Sequence, residues 1–238
     1  MSQDQAPKNL ERKRSCSKEF VVEPSDRSIE RLSKDLSLPT GEGIVIDIGT
    51  GDGLYVYQCA RQNPLKFYIG IDASARPLEK ISEKIHRKPA KGGLPNVLFI
   101  QAAVEDLSSE LDGIADEVHV HFPWGSLLKA VATGDKLVLE NLRRICAPEA
   151  LLEVIIGLDP ERDASEVKRL EIPDLRSEYL ESVLVPRYQE AGFAITEKGT
   201  LPESAWPEIK TSWARRLSGR PSRSLTYLIG RAVTGKQF

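Results

Sequence analysis

Ile44-Val45-Ile46-Asp47-Ile48-Gly49-Thr50-Gly51-Asp52-Gly53 decides the architecture. Its first three residues are β-branched and apolar, the composition of a strand buried on both faces, which predicts a central strand of a parallel sheet. The three glycines permit a tight turn, and a helical stretch over 54–62 stops at Asn63-Pro64. Phe67-Tyr68-Ile69-Gly70-Ile71 reads as a second buried strand ending at Asp72, followed by a helix over 76–87. Val97–Ile100 and Glu117–Phe122 read as further strands. A helix over 135–146, the strand Leu151–Ile156 and a helix over 177–191 ending at Gly192 follow, with strands at 193–198 and 225–231. Strand–helix alternation of this kind predicts a doubly wound α/β sheet. Its ligand belongs outside the carboxyl ends of the strands, where the strand order reverses. A long connection rather than a helical crossover joins the last two strands, predicting an antiparallel final pair.

Around that core the chain has 238 residues, 40% apolar and 29% charged. Such a composition excludes a disordered chain, and no apolar run approaches the roughly 18–20 residues that span a bilayer. The start, MSQDQAPKNLERKRS, shows no secretory signal. Cys16, Cys59 and Cys146 have neither disulfide-framework nor zinc-site spacing. The expectation is a cytoplasmic, reduced, metal-free protein with no membrane partner. Residues 1–40 read as an extension with a short β-like piece (Phe20-Val21-Val22) and a candidate helix over 26–36; residues 41–238 form the main domain.

Net charge is −2, which argues against a generic nucleic-acid binder, but the distribution is uneven. Lys84, Arg87, Lys88 and Lys91 form one acid-free run, Lys210, Arg215, Arg216, Arg220 and Arg223 another, and Arg12, Lys13, Arg14 and Lys18 a third. A charge run is usually a solvated face; three in a slightly acidic chain favour a polyanionic partner.

The glycine turn does not have the dinucleotide spacing, since it runs G-x-G-x-G after an acid, and no Lys-Ser/Thr follows to make a P-loop. Asp72 stands at the end of the second strand, about 20 residues after the glycines, where a carboxylate accepts both hydroxyls of a ribose. Ala103-Val104-Glu105 follows the third strand and can flank an adenine ring. Together these signals resemble the class I S-adenosylmethionine-dependent methyltransferases. That resemblance implies a Rossmann-like, seven-stranded, mostly parallel sheet with an antiparallel last strand. Gly49 would pass the methionine moiety, Asp72 bind the ribose and Val104-Glu105 meet the adenine.

The fourth strand runs into His121-Phe122-Pro123-Trp124-Gly125-Ser126-Leu127-Leu128, the place from which such enzymes present residues to the methyl acceptor. Trp124 between a proline and a glycine reads either as an exposed turn or as a packing residue under a loop. Trp213, in Thr211-Ser212-Trp213-Ala214-Arg215-Arg216-Leu217, forms an apolar stripe with Leu217 or, set among arginines, a platform for an unstacked base.

These strings, with Lys88-Pro89-Ala90-Lys91-Gly92-Gly93-Leu94, resemble the aminoglycoside-resistance 16S rRNA methyltransferases, in the branch that methylates N1 of the decoding-site adenine 1408. The likeness covers about residues 43–230; residues 1–40 and the acidic stretch 157–180 depart from the pattern. It implies that Trp124 and Trp213 hold the flipped adenine as the catalytic pair. It implies cofactor contacts from Asp47, Gly49, Gly51, Tyr55, Asp72, Val104, Glu105, His121, Trp124, Ser126, Thr211, Ser212 and Trp213. Arg87, Lys88, Lys91, Arg215, Arg216, Arg220 and Arg223 would bind phosphates of 16S rRNA in the assembled 30S subunit, both basic segments facing the pocket mouth of a monomer. Adenine N1 carries a free lone pair, so His86, His119 and His121 need no role as a base. Two readings stay open beside this one: a methyltransferase of tRNA or another RNA, and a non-catalytic RNA-binding module on the same fold.

Overall fold

The computed structural model describes residues 43–159, 161–202 and 224–233. Strands β1 (Ile44–Ile48), β2 (Phe67–Asp72), β3 (Val97–Gln101), β4 (Ala115–His121), β5 (Cys146–Leu158), β6 (Phe193–Pro202) and β7 (Ser224–Ala232) form one sheet in the order β3-β2-β1-β4-β5-β7-β6. The first five run parallel, and β7 lies antiparallel between β5 and β6. This is the seven-stranded, mostly parallel class I methyltransferase sheet with its antiparallel last strand. The order reverses beside β1, where β2 and β4 pair with its two edges.

The helices are α1 (Leu54–Gln62), α2 (Ala75–Ile85), α3 (Gly125–Thr133), α4 (Lys136–Ile145), α5 (Ala164–Leu170), α6 (Ser177–Tyr179) and α7 (Val185–Glu190), the last two joined by a π turn at Leu180–Leu184. α1 has the predicted bounds, and α2 and α4 fall within two residues of theirs. α3 and α5 are additions. α3 opens on a glycine with no side-chain cap, and so lacks the start signal by which a sequence announces a helix.

Alternation along the buried strands divides the core in two. Ile46, Val118, Val120, Leu152 and Val154 look toward α3, α4 and α7, where Leu128, Leu139, Leu142 and Tyr188 are fully buried. Val45, Tyr68, Val97 and Phe99 look the other way, onto Val56, Leu78 and Ile81 of α1 and α2. Each fully buried aliphatic side chain contributes about 1.5–3 kcal/mol, so both layers hold the carboxyl ends of β1 and β4 rigidly side by side. Among the described residues, no helix is long and apolar enough to cross a membrane.

Candidate active site

The cleft opens where the order of strands reverses. It has a volume of about 340 Å³ and is lined by Asp47 through Asp52, Asp72-Ala73, Ala102 through Glu105, and His121-Phe122 with Trp124 through Leu127. A pocket of that size suits a nucleoside-bearing small molecule.

Its floor is the glycine turn. The Gly49 and Thr50 amides both donate to the Ile71 carbonyl, at 2.8 and 3.0 Å, closing the turn onto β2. Gly49 has φ +75°, and a Cβ there would lie 2.5 Å from Leu127 Cδ2. The Gly51 amide donates to Asp72 Oδ2 at 2.9 Å, and the Ser74 amide to Asp72 Oδ1 at 2.8 Å. Asp72 therefore holds the turn with one lone pair of each oxygen and keeps the others for a ligand.

The opposite wall comes from the end of β4. Phe122 has φ +50° and is buried, its amide donating to the Ile155 carbonyl at 2.7 Å. A non-glycine residue held in that region marks stored backbone strain of the kind that gathers at functional sites. The strained turn swings Trp124 outward, where 40% of it remains exposed at the lip of the cleft. A large aromatic with that exposure beside an open cleft fits the exposed-turn reading of Trp124.

Behind the cleft lies a polar network that the sequence reading missed apart from His121. His121 Nε2 donates to Glu153 Oε1 at 2.6 Å, and its Nδ1 is buried without a partner among the described residues. His119 stacks on His121 at 4.9 Å and donates through Nε2 to Glu117, 3.4 Å away. Tyr55 is expected among the cofactor contacts, but it does not line the cleft: its hydroxyl donates to His119 Nδ1 at 3.3 Å and its ring abuts His121. α1 leaves the glycine turn pointing down the sheet, so Tyr55 reaches the cleft only through His121. The signal for the network was the period-two polar pattern Glu117-x-His119-x-His121 on a buried strand, in register with Asp47 and Glu153.

Burial pushes the Asp47 carboxyl up, partly countered by His121 and the Thr50 hydroxyl. The hydrogen bond to His121 holds Glu153 down. The bond from His119, against burial and with help from Lys66 at 2.7 Å, holds Glu117 at about 2 instead of 4.5. A carboxyl lowered on folding adds stability at pH values above 4.5 and loses it as pH falls toward about 2. Urea unfolding of wild type and Glu117→Gln should therefore differ most above pH ~5, and the difference should shrink below that and vanish only as pH falls toward about 2; a constant difference would contradict the assignment.

Gly49, Gly51, Asp47, Asp72, Val104, Glu105, His121, Trp124 and Ser126 thus converge on one cleft. Thr211, Ser212, Trp213, Arg215, Arg216, Arg220 and Arg223 lie outside the described residues, as does the extension over 1–40. Arg87, Lys88 and Lys91, expected to face the cleft mouth, stand in the loop between α2 and β3. None lines the cleft, because α2 carries the chain from the carboxyl edge at Asp72 toward the amino end of β3. Their loop is rigidly built: Tyr57 donates to the Gly92 carbonyl at 3.0 Å, and a Cβ on Gly93 would sit 1.6 Å from the Arg87 carbonyl oxygen. All three cations are exposed.

The family model described as NpmA, 16S rRNA (adenine(1408)-N(1))-methyltransferase, matches residues 28–233. A 16S rRNA (adenine(1408)-N(1))-methyltransferase of Streptoalloteichus tenebrarius is 38% identical over 204 residues, 85% of this chain and 91% of that protein. The crystal structure of the aminoglycoside resistance methyltransferase NpmB1 superposes with a TM-score of 0.73 at 46% identity, covering 86% of this chain and 93% of the other. A variant of the enzyme from Catenulisporales acidiphilia, solved with its cosubstrate SAM, superposes with a TM-score of 0.78 at 30% identity, covering 90% and 95%. With a cleft at the strand-order reversal, a carboxylate on its floor and an exposed indole at its lip, the chain belongs to the 16S rRNA (adenine(1408)-N(1))-methyltransferase family.

Proposed function

We propose that this protein transfers a methyl group from S-adenosylmethionine to N1 of adenine 1408 in the 16S rRNA decoding site, acting as a cytoplasmic monomer on the assembled 30S subunit and conferring aminoglycoside resistance. The observation that carries the reading is Trp124, 40% exposed at the lip of the cleft, on a backbone pinned at both sides. The donor set fits the cofactor. Asp72 keeps lone pairs for two ribose hydroxyls, Val104 offers an apolar surface for the adenine, and only glycine tolerates the approach of Leu127 at position 49.

When bound, S-adenosylmethionine supplies an electrophilic methyl carbon on a sulfonium. Because N1 of adenine already has its lone pair, the residues of this chain have to orient the base rather than take a proton. Orientation contributes up to about 7–11 kcal/mol in the most favourable systems. Taking the nucleotide out of its helix costs a few kcal/mol, and stacking on an aromatic ring returns about 1–3 kcal/mol per base. Trp124 supplies one such surface, and Trp213 is assigned the second on the family resemblance.

The basic loop then makes a docking surface away from the chemistry, where Lys88 and its neighbours position the protein on phosphates without reading sequence. Lys88→Glu should weaken 30S binding by about tenfold and flatten its salt dependence while leaving calorimetric affinity for S-adenosylhomocysteine unchanged. Loss of both affinities would contradict the separation of the two surfaces. The assignment as a whole is tested by expression in a susceptible bacterium and reverse transcription across the decoding site. The expected result is a strong stop at adenine 1408 with resistance to kanamycin-like and apramycin-like drugs; label appearing in tRNA alone would refute it.

A further inference from the structure

Helix α2 leads from the rim of the cleft to the basic loop. Ala73, two residues ahead of it, lines the cleft, and beyond its last turn come Arg87 and Lys88. Leu78, Ile81 and Ile85 bury one face of the helix in the layer that holds Tyr68 and Phe99. With about 3.6 residues per turn, Arg76, Lys80 and Glu83 stand on the opposite face, and all three are exposed. Arg76 and Lys80 are neighbours at i,i+4, separated by about 6 Å along the axis.

The cations on this side of the molecule differ from those elsewhere. Lys66, Lys129, Arg144 and Arg169 each pair with a carboxylate, and the Lys84 ammonium lies 3.9 Å over the Tyr57 ring. Arg76, Lys80, Arg87, Lys88 and Lys91 have no ion pair among the described residues. Over residues 73–91 these five exposed cations stand against two exposed acids, Glu79 and Glu83, in a chain whose net charge is −2. A cation held on a rigid helix with no carboxylate to leave meets a phosphate without breaking an existing pair.

We infer that Arg76 and Lys80 bind phosphates of 16S rRNA, so that one docking surface runs from the basic loop along α2 to the rim of the cleft. The inference rests on the rRNA reading above and goes beyond it by assigning α2 a part in docking. A nucleotide drawn into the cleft stays covalently joined to the phosphates on either side of it. α2 is the element that connects the cleft rim to the loop, over about 16 Å from Arg76 to Arg87. Its outward cations extend the loop's positive field toward the place where the base enters, positioning the strand without reading its sequence. Glu83 interrupts that field, one turn from both Lys80 and Arg87.

Binding of purified 30S subunits, titrated at several salt concentrations, reads the effect. Each phosphate contact adds about 0.7–0.9 to the slope of log affinity against log salt. The double variant Arg76→Gln, Lys80→Gln should bind about tenfold more weakly, with a slope shallower by about 1.4–1.8. Glu83→Lys should bind about fivefold more tightly with a steeper slope, a gain that a damaged fold does not produce. Calorimetric affinity for S-adenosylhomocysteine should be unchanged in both proteins. A double variant with wild-type affinity and slope, or a Glu83→Lys protein that binds no more tightly than wild type, overturns the inference. Wild type that failed to bind 30S subunits would overturn the rRNA reading itself, an outcome distinct from silence at α2 alone.

Discussion

Asp72→Ala is expected to weaken binding of S-adenosylhomocysteine by about 100-fold or more, read by calorimetry at neutral pH. The carboxylate has about four lone-pair sites. Two are used by the Gly51 and Ser74 amides, at 2.9 and 2.8 Å. The other two match the vicinal hydroxyls of a ribose. Charge-assisted hydrogen bonds contribute about 1.5–3 kcal/mol each, so losing two removes about 3–6 kcal/mol. The glycine turn also loses the acceptor that orients Gly51. Asp72→Asn keeps one oxygen, replaces the other with a donor and should lie between wild type and alanine. Because Asp72 ends a strand rather than filling the core, circular dichroism and the unfolding midpoint should change little. Affinity of Asp72→Ala within about tenfold of wild type would mean that the ribose is held elsewhere.

The fold was legible because its signals are strong and local. Uniformly apolar runs such as Ile44–Ile46 and Phe67–Ile71 have no stable place except inside a parallel sheet, and the glycines and Asp72 fall at ends that such a sheet brings together. What could not be read were consequences of a direction or a partner. The run Arg87-Lys88-Lys91 has the same composition on either edge of the sheet. Only the course of α2 decides that none of the three lines the cleft. Tyr55 follows the glycine turn so closely in sequence that a contact with the ligand is the natural expectation, yet the first turn of α1 aims its ring at His119 and His121. Asn141 was invisible for the opposite reason. It lies 37 and 36 residues from the Val104 and Glu105 carbonyls to which it donates, and a lone asparagine in an amphipathic helix carries no sequence signal of that contact.

Trp124→Leu is expected to slow methyl transfer to 30S subunits by about 100-fold at saturating cofactor, and Trp124→Phe by only about tenfold. The difference is the informative part. Methylation at N1 leaves the adenine ring cationic, so positive charge grows on the base as the bond forms. An indole face attracts a cation by about 0.5–2 kcal/mol beyond the 1–3 kcal/mol of stacking, and only an interaction that strengthens in the transition state speeds the chemical step. Phenylalanine keeps a π face, weaker than that of indole; leucine keeps apolar area and no π face. Placement favours a direct effect, because Trp124 is held by the backbone on either side rather than by its own burial. Phe122 is fixed at φ +50° by its bond to Ile155, Gly125 at φ +60° begins α3, and the indole between them projects with 40% of the residue exposed. Substitution there should leave the sheet and the Asp72 end of the cleft intact, which calorimetry with S-adenosylhomocysteine would verify for both variants. Equal rates for the leucine and phenylalanine variants would show that the indole supplies area alone, and the proposed stabilisation of developing charge would then have to be abandoned.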